Sequence, residues 1–364
     1  MKHIVRDRIA HVKHMLRPHA VWGLGHLPVT ARYSGRGHIL MFHRVVPLEE
    51  MSQFGMSAFE ITPQTLEMSI NFFLERGYRV VSLDEMCDSL ISDTDSSKFI
   101  VLTFDDGYKD TLTHAYPVLR AYDAPFTVNI TVGYAERAAI KWDYLAEDVI
   151  HSHDTVAIDT CRGRVELDCS TPASKKQSCG MLQDILYEMS GFESSDGMKT
   201  FFSSYFRDVY HKTDELMLDW PQIEELARDP LVTIGAHSIN HRVLSRLTRS
   251  VAEHEILCSR TMLESRLGVE VSHFAYPYGR LHEAGEREYE TARQCGFRTG
   301  STGIKGNIFS EHARHFVSLP RFCLGSNCTE GYLRTIANGS LPFLSNGFRR
   351  LPAPHETQTT RDQG

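Results

Sequence analysis

The chain has 364 residues, of which 41% are hydrophobic and 23% charged, and its formal net charge is −7 at pH 7. These values are close to those of average globular domains, so they exclude a wholly disordered chain, a collagen and a coiled coil. The acidic balance argues against a general nucleic-acid binder, because such domains usually carry a surplus of lysine and arginine. We therefore expect a globular protein that does not bind nucleic acid.

Residues 1–37 are predicted to form an N-terminal arm. Apolar residues recur at helical spacing among basic ones, at Val5, Ile9, Val12 and Leu16. This pattern is typical of an amphipathic helix, here over residues 1–20, which either packs on the fold or lies on an acidic membrane surface. Because no apolar run has the length of a membrane span or the form of a signal peptide, we expect a cytoplasmic protein, with the inner face of the membrane as its alternative location.

From residue 38 onwards, short apolar runs alternate with helical patterns, which predicts a series of βα units. Strands are predicted near 39–42, 78–83, 99–104, 125–130, 231–234, 272–275, 298–301 and 316–319. Thr62 and Pro63 are typical of a helix start and Gly77 of its end, and further helices are predicted near 110–121 and 221–228. A capping box from Ser250 to Glu253 predicts the start of a helix that ends at Gly268.

The βα rhythm breaks between about 135 and 220, which we interpret as an insertion. A hairpin is predicted over 156–168, and helical segments over 181–189 and 198–210. Without this insertion, the N-terminal arm and a flexible polar tail over 346–364, roughly 230 residues remain, which is the size of one (β/α) barrel. We therefore predict an α/β catalytic domain over 38–345 that carries a helical and hairpin insertion.

Candidate catalytic side chains follow four of the predicted strands: His43, the pair Asp105 and Asp106, the pair His237 and His241, and the segment 276–279. In a sheet or barrel of parallel strands the carboxyl ends converge on one mouth, so we expect these groups to meet. Two histidines one helical turn apart, with one carboxylate, form a ligand set that fits zinc hydrolysis or ferrous oxygen chemistry.

The second aspartate favours hydrolysis of an amide or ester. If one aspartate binds a metal, its neighbour can take a proton from water beside the cation. Glycosidases need two carboxylates on opposite sides of the scissile bond, about 5 to 9.5 Å apart, and adjacent aspartates suit that poorly.

Three segments resemble the first motifs of a known family: Thr-Phe-Asp-Asp-Gly at 103–107, His-Ser-Ile-Asn-His at 237–241 and Phe-Ala-Tyr-Pro-Tyr-Gly at 274–279. The chain is similar over 38–325, apart from the insertion, to the polysaccharide deacetylases. This is carbohydrate esterase family four, which includes the chitooligosaccharide deacetylases of the nodulation protein B type. The Phe-Ala-Tyr-Pro form and an early strand ending in His43 most resemble the branch that acts on poly-N-acetylglucosamine.

The resemblance implies a distorted (β/α) barrel that hydrolyses the N-acetyl group of an N-acetylglucosamine-type sugar with a divalent metal, commonly zinc. It also implies roles for single residues: Asp105 as the general base, Asp106, His237 and His241 as metal ligands, and Pro277 and Tyr278 as the lining of the groove, with the Tyr278 amide as an oxyanion donor. Tyr276 is a further candidate for substrate contact. Trp142 is another, either stacking on the sugar or anchoring the insertion as a lid.

The chain departs from the family pattern at two places. Ala275 and Tyr276 stand before the proline where the family has an arginine that orients the base, and the late histidine motif that supplies the acid is not recognisable. We therefore nominate His43 as the group that protonates the leaving amine and Arg321 as a replacement for the arginine.

Three functions remain open from the sequence. The first is a metal-dependent deacetylase of an N-acetylated oligosaccharide, polysaccharide or lipid-linked precursor, with peripheral membrane contact through residues 1–20. The second is a carbohydrate-binding protein that has lost catalysis. The third is a metal hydrolase of a non-sugar amide.

Overall fold

The computed structural model describes residues 32–52, 55–92, 97–190, 196–346 and 350–351. The strands are β1 (Gly37–Phe42), β2 (Arg44–Val45), β3 (Glu60–Ile61), β4 (Arg79–Val80), β5 (Phe99–Phe104), β6 (Phe126–Ile130), β7 (Thr155–Thr160), β8 (Gly163–Asp168), β9 (Val232–Ala236), β10 (His273–Ala275), β11 (Thr299–Ser301) and β12 (Phe322–Cys323). Among these described residues, eight strands form one sheet in the order β11-β10-β9-β6-β5-β1-β12, with β4 beside the first half of β5.

Every pairing in this sheet is parallel, and the sheet curls into a half-barrel of the predicted (β/α) type. Its two edges approach each other where Leu319, just before β12, forms a parallel bridge with Ser301 of β11. All residues of β1 and β5 are buried, as expected for strands that are covered on both faces.

The helices are α1 (Pro63–Leu74), α2 (Leu83–Ser92), α3 (Tyr116–Ala121), α4 (Val132–Ala135), α5 (Trp142–Ser152), α6 (Pro172–Met189), α7 (Asp196–Ser203), α8 (His211–Leu216), α9 (Trp220–Ala227), α10 (Arg249–Leu267), α11 (Glu286–Gln294), α12 (Glu330–Ala337) and α13 (Ser340–Ser345). Helix α1 begins as predicted, since the Thr62 side chain accepts a hydrogen bond from the Thr65 amide at 3.2 Å. Its end is followed by Gly77, which has a φ of 75°.

Three element predictions outside the insertion need correction. The strand predicted over 78–83 is limited to β4, because Ser82 and Glu85 form a reciprocal cap that starts α2. The strand predicted over 316–319 is a 3₁₀ turn, Phe316–Ser318, and the last strand starts after Pro320, which has no N–H for a ladder. Helix α10 starts at Arg249 with Thr248 as its N-cap, so the predicted capping box lies inside its first turn.

The insertion has an apolar core of its own. Helices α5, α6 and α7 and the β7–β8 hairpin enclose a cluster, here called the insertion core, whose members include Leu145, Val149, Val156, Leu182, Leu186 and Phe202. The hairpin matches the predicted one, whereas the helical segment predicted over 198–210 ends at Ser203.

The predicted helix over residues 1–20 and most of the predicted tail lie outside the described residues. The arm, the tail and the cellular location therefore stay predictions. Within the described ranges, no helix has the length and apolarity needed to cross a membrane.

Candidate metal centre and active site

Two strand ends bring three side chains together. Asp106 follows β5, and His237 follows β9 with His241 in the same loop. The Oδ1 atom of Asp106 lies 3.3 Å from Nε2 of His237 and 3.2 Å from Nε2 of His241. Both histidines lie in a loop, in which Ser238 has a φ of 61° and His241 a φ of 53°, and this loop turns both rings to one side.

This cluster fits a divalent cation. The Nδ1 atom of His237 lies 2.7 Å from the carbonyl oxygen of Ala275, so Nδ1 donates and Nε2 presents its lone pair towards Asp106. The Asp106 Oδ1 atom is buried, and no described residue donates a hydrogen bond to it. Lone pairs that converge in this way are expected where an ion binds, and one carboxylate with two imidazoles is a ligand set of catalytic zinc sites.

The second oxygen of Asp106 is held by Lys141, which the sequence analysis missed. Lys141 Nζ donates to Asp106 Oδ2 at 2.8 Å and lies 3.0 Å from Asp143 Oδ2, at the start of the insertion. Burial acts to raise the pKa of Asp106, but Lys141 and then His241 hold it well below its usual value. The carboxylate is therefore ionised and available to a cation.

The preceding residue, Asp105, is locked in place by a buried arginine. Arg321 donates from Nη1 to Oδ1 at 2.8 Å and from Nη2 to Oδ2 at 2.7 Å, while Asn129 donates to Oδ1 at 2.7 Å. Burial alone would raise the pKa of Asp105, but Arg321, followed by His237, lowers it to about 2. Asp105 is thus an anion of fixed orientation.

Arg321 therefore occupies the place predicted for a substitute of the missing arginine. The Arg321 side chain is only 1% exposed and donates to groups inside the protein, so the geometry supports a role in orienting Asp105, and its predicted contact with substrate stays a prediction. Asn129, on β6, was also missed. Its only signal in the sequence is an amide near the end of a strand that is mostly apolar.

His43 lies at the same end of the barrel, directly after β1. Burial lowers its pKa below the usual value, although the charges of Asp106 and Asp105 act in the opposite direction. The ring packs edge-on against Phe59, with 5.0 Å between centroids, and its Nδ1 lies 4.0 Å from Cys323 Sγ. Its role as the acid stays a prediction.

The segment after β10 divides its side chains between the core and the site. Tyr276 is 1% exposed and donates to the carbonyl of Val317 at 2.8 Å, so its side chain lies in the core and its contact with substrate stays a prediction. Pro277 is buried and Tyr278 is half-buried, with the Tyr278 ring 4.8 Å from that of His241. Tyr278 has a φ of 61°, and its amide makes no hydrogen bond to a described residue.

Trp142 lies between Lys141 and Asp143 in the sequence, but its side chain does not join the candidate site. Its ring contacts the insertion core together with Ile140. This contact favours the anchoring interpretation over sugar stacking.

Comparisons with known proteins agree on one family. The family model for polysaccharide deacetylase matches residues 92–300. A Bacillus subtilis protein named as a polysaccharide deacetylase, YxkH, is 20% identical over 269 residues, which are 74% of this chain. The chain spans 64% of the length of that curated relative.

Solved structures show the same fold. The Streptococcus pyogenes deacetylase PplD, solved with acetate, has a TM-score of 0.53 at 19% identity, covering 82% of this chain and 97% of its own. IcaB from Ammonifex degensii has a TM-score of 0.53 at 18% identity, covering 84% and 97%. A de-N-acetylase from Aggregatibacter actinomycetemcomitans has a TM-score of 0.52 at 16% identity, covering 80% and 96%.

Proposed function

Because the chain belongs to the polysaccharide deacetylase family, we propose that it is a metal-dependent hydrolase of N-acetyl groups. The proposed substrate is an oligosaccharide or polysaccharide that contains N-acetylglucosamine, or a lipid-linked precursor of one. One observation carries the proposal: an ionised aspartate clamped by a buried arginine adjoins a carboxylate that faces two histidines.

The ligands in this proposal are Asp106, His237 and His241, and zinc is the cation that suits them best. Once bound, such a cation would lower the pKa of a water molecule and polarise the amide carbonyl. The positive charge of Lys141 lies beside Oδ2 of Asp106, the oxygen that faces away from the histidines, and it favours the ionised form of this carboxylate.

Asp105 acts as the base. Because Arg321 and Asn129 occupy fixed sides of the carboxylate, its orientation is set before substrate binds. Because its pKa is lowered to about 2, the carboxyl group is ionised before substrate binds and has a free charge with which to accept a proton from water.

Two further groups complete the reaction. The Tyr278 amide, held at a positive φ, would donate to the oxyanion that forms from the carbonyl. His43 would give a proton to the leaving amine and be reprotonated by the proton that Asp105 takes from water, and the burial that lowers its pKa makes it a stronger donor once protonated. Hydrolysis then yields acetate and a free amine.

The alternative of a binding protein without catalysis receives little support from the site. The buried pair of Asp105 and Arg321 presents almost no surface to a bound sugar, so it would contribute little to a groove that only binds. The third motif lacks its arginine, but Arg321 contacts Asp105 with two hydrogen bonds, so this departure from the family pattern does not by itself argue for lost catalysis.

The deciding experiment measures acetate released from N-acetylglucosamine oligomers with β-1,4 or β-1,6 linkages. Metal-stripped protein is assayed before and after zinc is added, beside Asp105→Asn and the exposed control Asp159→Asn. We expect zinc-dependent release that Asp105→Asn abolishes and the control retains. Zinc binding without acetate release from any saccharide, including a lipid-linked one, would overturn the proposal and favour a non-sugar amide or simple binding.

A further inference from the structure

The last turn of helix α6, in the insertion, reaches the loops that carry the candidate active site. The ring of Tyr187 lies 5.1 Å from that of Tyr278, with 82° between the planes, and the Tyr278 ring lies 4.8 Å from that of His241. These distances are in the favourable range for aromatic pairs. Tyr278 is thus held between a side chain of the insertion and a candidate metal ligand.

Tyr187 is itself fastened to the loop after β10. Its hydroxyl donates to Glu283 Oε1 at 2.6 Å, and Glu283 is 1% exposed. The other oxygen of Glu283 accepts the Arg280 amide at 2.7 Å. The segment 276–283 is therefore attached to Tyr187 at two points, the Tyr278 ring and the Glu283 carboxylate.

The same turn of α6 is attached to the loop after β9. Arg246, in a short turn that follows His241, lies over the Tyr187 ring with its guanidinium carbon 4.7 Å from the centroid. Arg246 also donates from Nη1 to the Tyr187 carbonyl at 3.3 Å and pairs with Glu188 at 3.1 Å. Tyr187 therefore contacts both loops that form the site.

Both loops need such support because their backbones are strained. Ser238, His241 and Tyr278 have φ values of 61°, 53° and 61°, which residues with a Cβ rarely adopt. Such conformations persist only where surrounding contacts impose them. Tyr187 packs on the side chain of Tyr278, and it also contacts Arg246, which lies in the turn that follows His241.

We propose that Tyr187 is a positioning residue, a clamp from the insertion that holds Tyr278 against His241 and sets the spacing of the two loops. It contacts neither the cation nor the reacting atoms and acts through Tyr278. The inference rests on the proposed deacetylase function for its kinetic test alone, since the ordering of the loops can be measured without turnover.

The test compares Tyr187→Ala and Tyr187→Phe with Tyr205→Phe, a matched change inside the insertion, where the Tyr205 hydroxyl faces Ala157. Amide hydrogen exchange is followed over 238–246 and 276–283 in metal-free protein, and kcat and KM are measured with zinc. The absorption spectrum of cobalt-loaded protein reports on the surroundings of His241.

For Tyr187→Ala we expect faster exchange in both segments, an altered cobalt spectrum and a fall in kcat of about 10- to 100-fold, with KM within about threefold, because small misplacements cost rate more than binding. Tyr187→Phe keeps the ring contacts and should recover most of kcat, and Tyr205→Phe should match the wild type. Tyr187→Leu replaces the alanine variant if that one does not fold.

Unchanged exchange in both segments would overturn the inference, and so would a rise in KM alone, which would indicate a ring that contacts sugar. If the wild type releases no acetate, the proposed function fails, while hydrogen exchange still decides whether the clamp exists.

Discussion

Lys141 and Asp106 form a buried ion pair between the insertion and the barrel, with 2.8 Å between Nζ and Oδ2. The two side chains are 2% and 4% exposed, so the pair is shielded from water. The insertion is therefore joined to the carboxylate that faces the two histidines, and its first residues belong to the site.

Replacing Lys141 should destabilise metal-free protein more than zinc-loaded protein. Lys141→Met leaves the Asp106 charge buried without its partner, a situation that typically costs about 3 to 5 kcal/mol. A bound cation would compensate part of this charge, so the loss of Tm should be smaller with zinc. Lys141→Arg keeps the charge and serves as the control. Equal losses of Tm with and without zinc would contradict this account.

Arg321→Met should move the acid limb of the activity profile to higher pH. Arg321 lowers the pKa of Asp105 to about 2, whereas burial alone would raise it above its usual 3.8. Without the guanidinium, Asp105 is protonated at a higher pH and the base is lost there. The native pair should also stabilise the fold above the unfolded pKa and lose this contribution as the pH falls towards 2.

The measurement for Arg321 is kcat/KM against pH, with acid unfolding followed in parallel. Arg321→Lys keeps the positive charge but loses the bidentate contact, so the pH of its acid limb should lie between those of the wild type and Arg321→Met. An unshifted acid limb would show that Arg321 does not control Asp105.

His241→Ala should abolish zinc-dependent acetate release and weaken zinc binding. The loss of a ligand should exceed the about 10- to 100-fold cost of losing a residue that only orients one. Zinc affinity is measured by competition with a chelating dye, with the exposed His254→Ala as the control. Retained affinity would remove His241 from the ligand set.

His43→Gln should lower kcat and leave zinc affinity unchanged. Loss of a general acid typically costs about 10² to 10⁴ in rate. Single-turnover measurements with zinc-saturated protein test this, because they isolate the chemical step from product release. If the rate is retained, another group protonates the amine.

Trp142→Ala should reduce the stability of the protein with little effect on KM, because the ring packs on the insertion core. We expect a loss of about 2 kcal/mol, below the range for fully buried tryptophans because Trp142 is partly exposed. Chemical unfolding and saturation kinetics measure the two effects. A large rise in KM with unchanged stability would restore the sugar-stacking interpretation.

From the sequence alone, side chains that directly follow predicted parallel strands can be expected to lie at one end of the sheet. Asp105, Asp106 and His237 each follow a buried apolar run, and parallel strands bring such positions together whatever the loops between them do. Arg321 contacts Asp105 in the structure, but the sequence points to it only as a substitute for a missing residue. No local pattern indicated its burial.

The contacts of the insertion could not be predicted in the same way. Lys141 and Tyr187 lie on segments whose position over the barrel depends on tertiary packing, and neither belongs to a repeat or a strand end. Tyr276 directly precedes Pro277 and Tyr278 in the loop after β10, and nothing in the sequence shows that its side chain points into the core. The Tyr276 ring instead packs on Phe274 and Tyr289 beneath that loop.

The bridge between Ser301 and Leu319 has a consequence for incomplete chains. Arg321 stands one residue beyond Pro320, close to this bridge, so the partner of Asp105 comes from the segment where the two edges of the sheet meet. A ribosome-bound or truncated chain that ends before this point carries both aspartates and both histidines but lacks the charge that fixes the base. Under the proposed function, we expect a chain that stops before Arg321 to release no acetate, even where its two histidines still bind zinc.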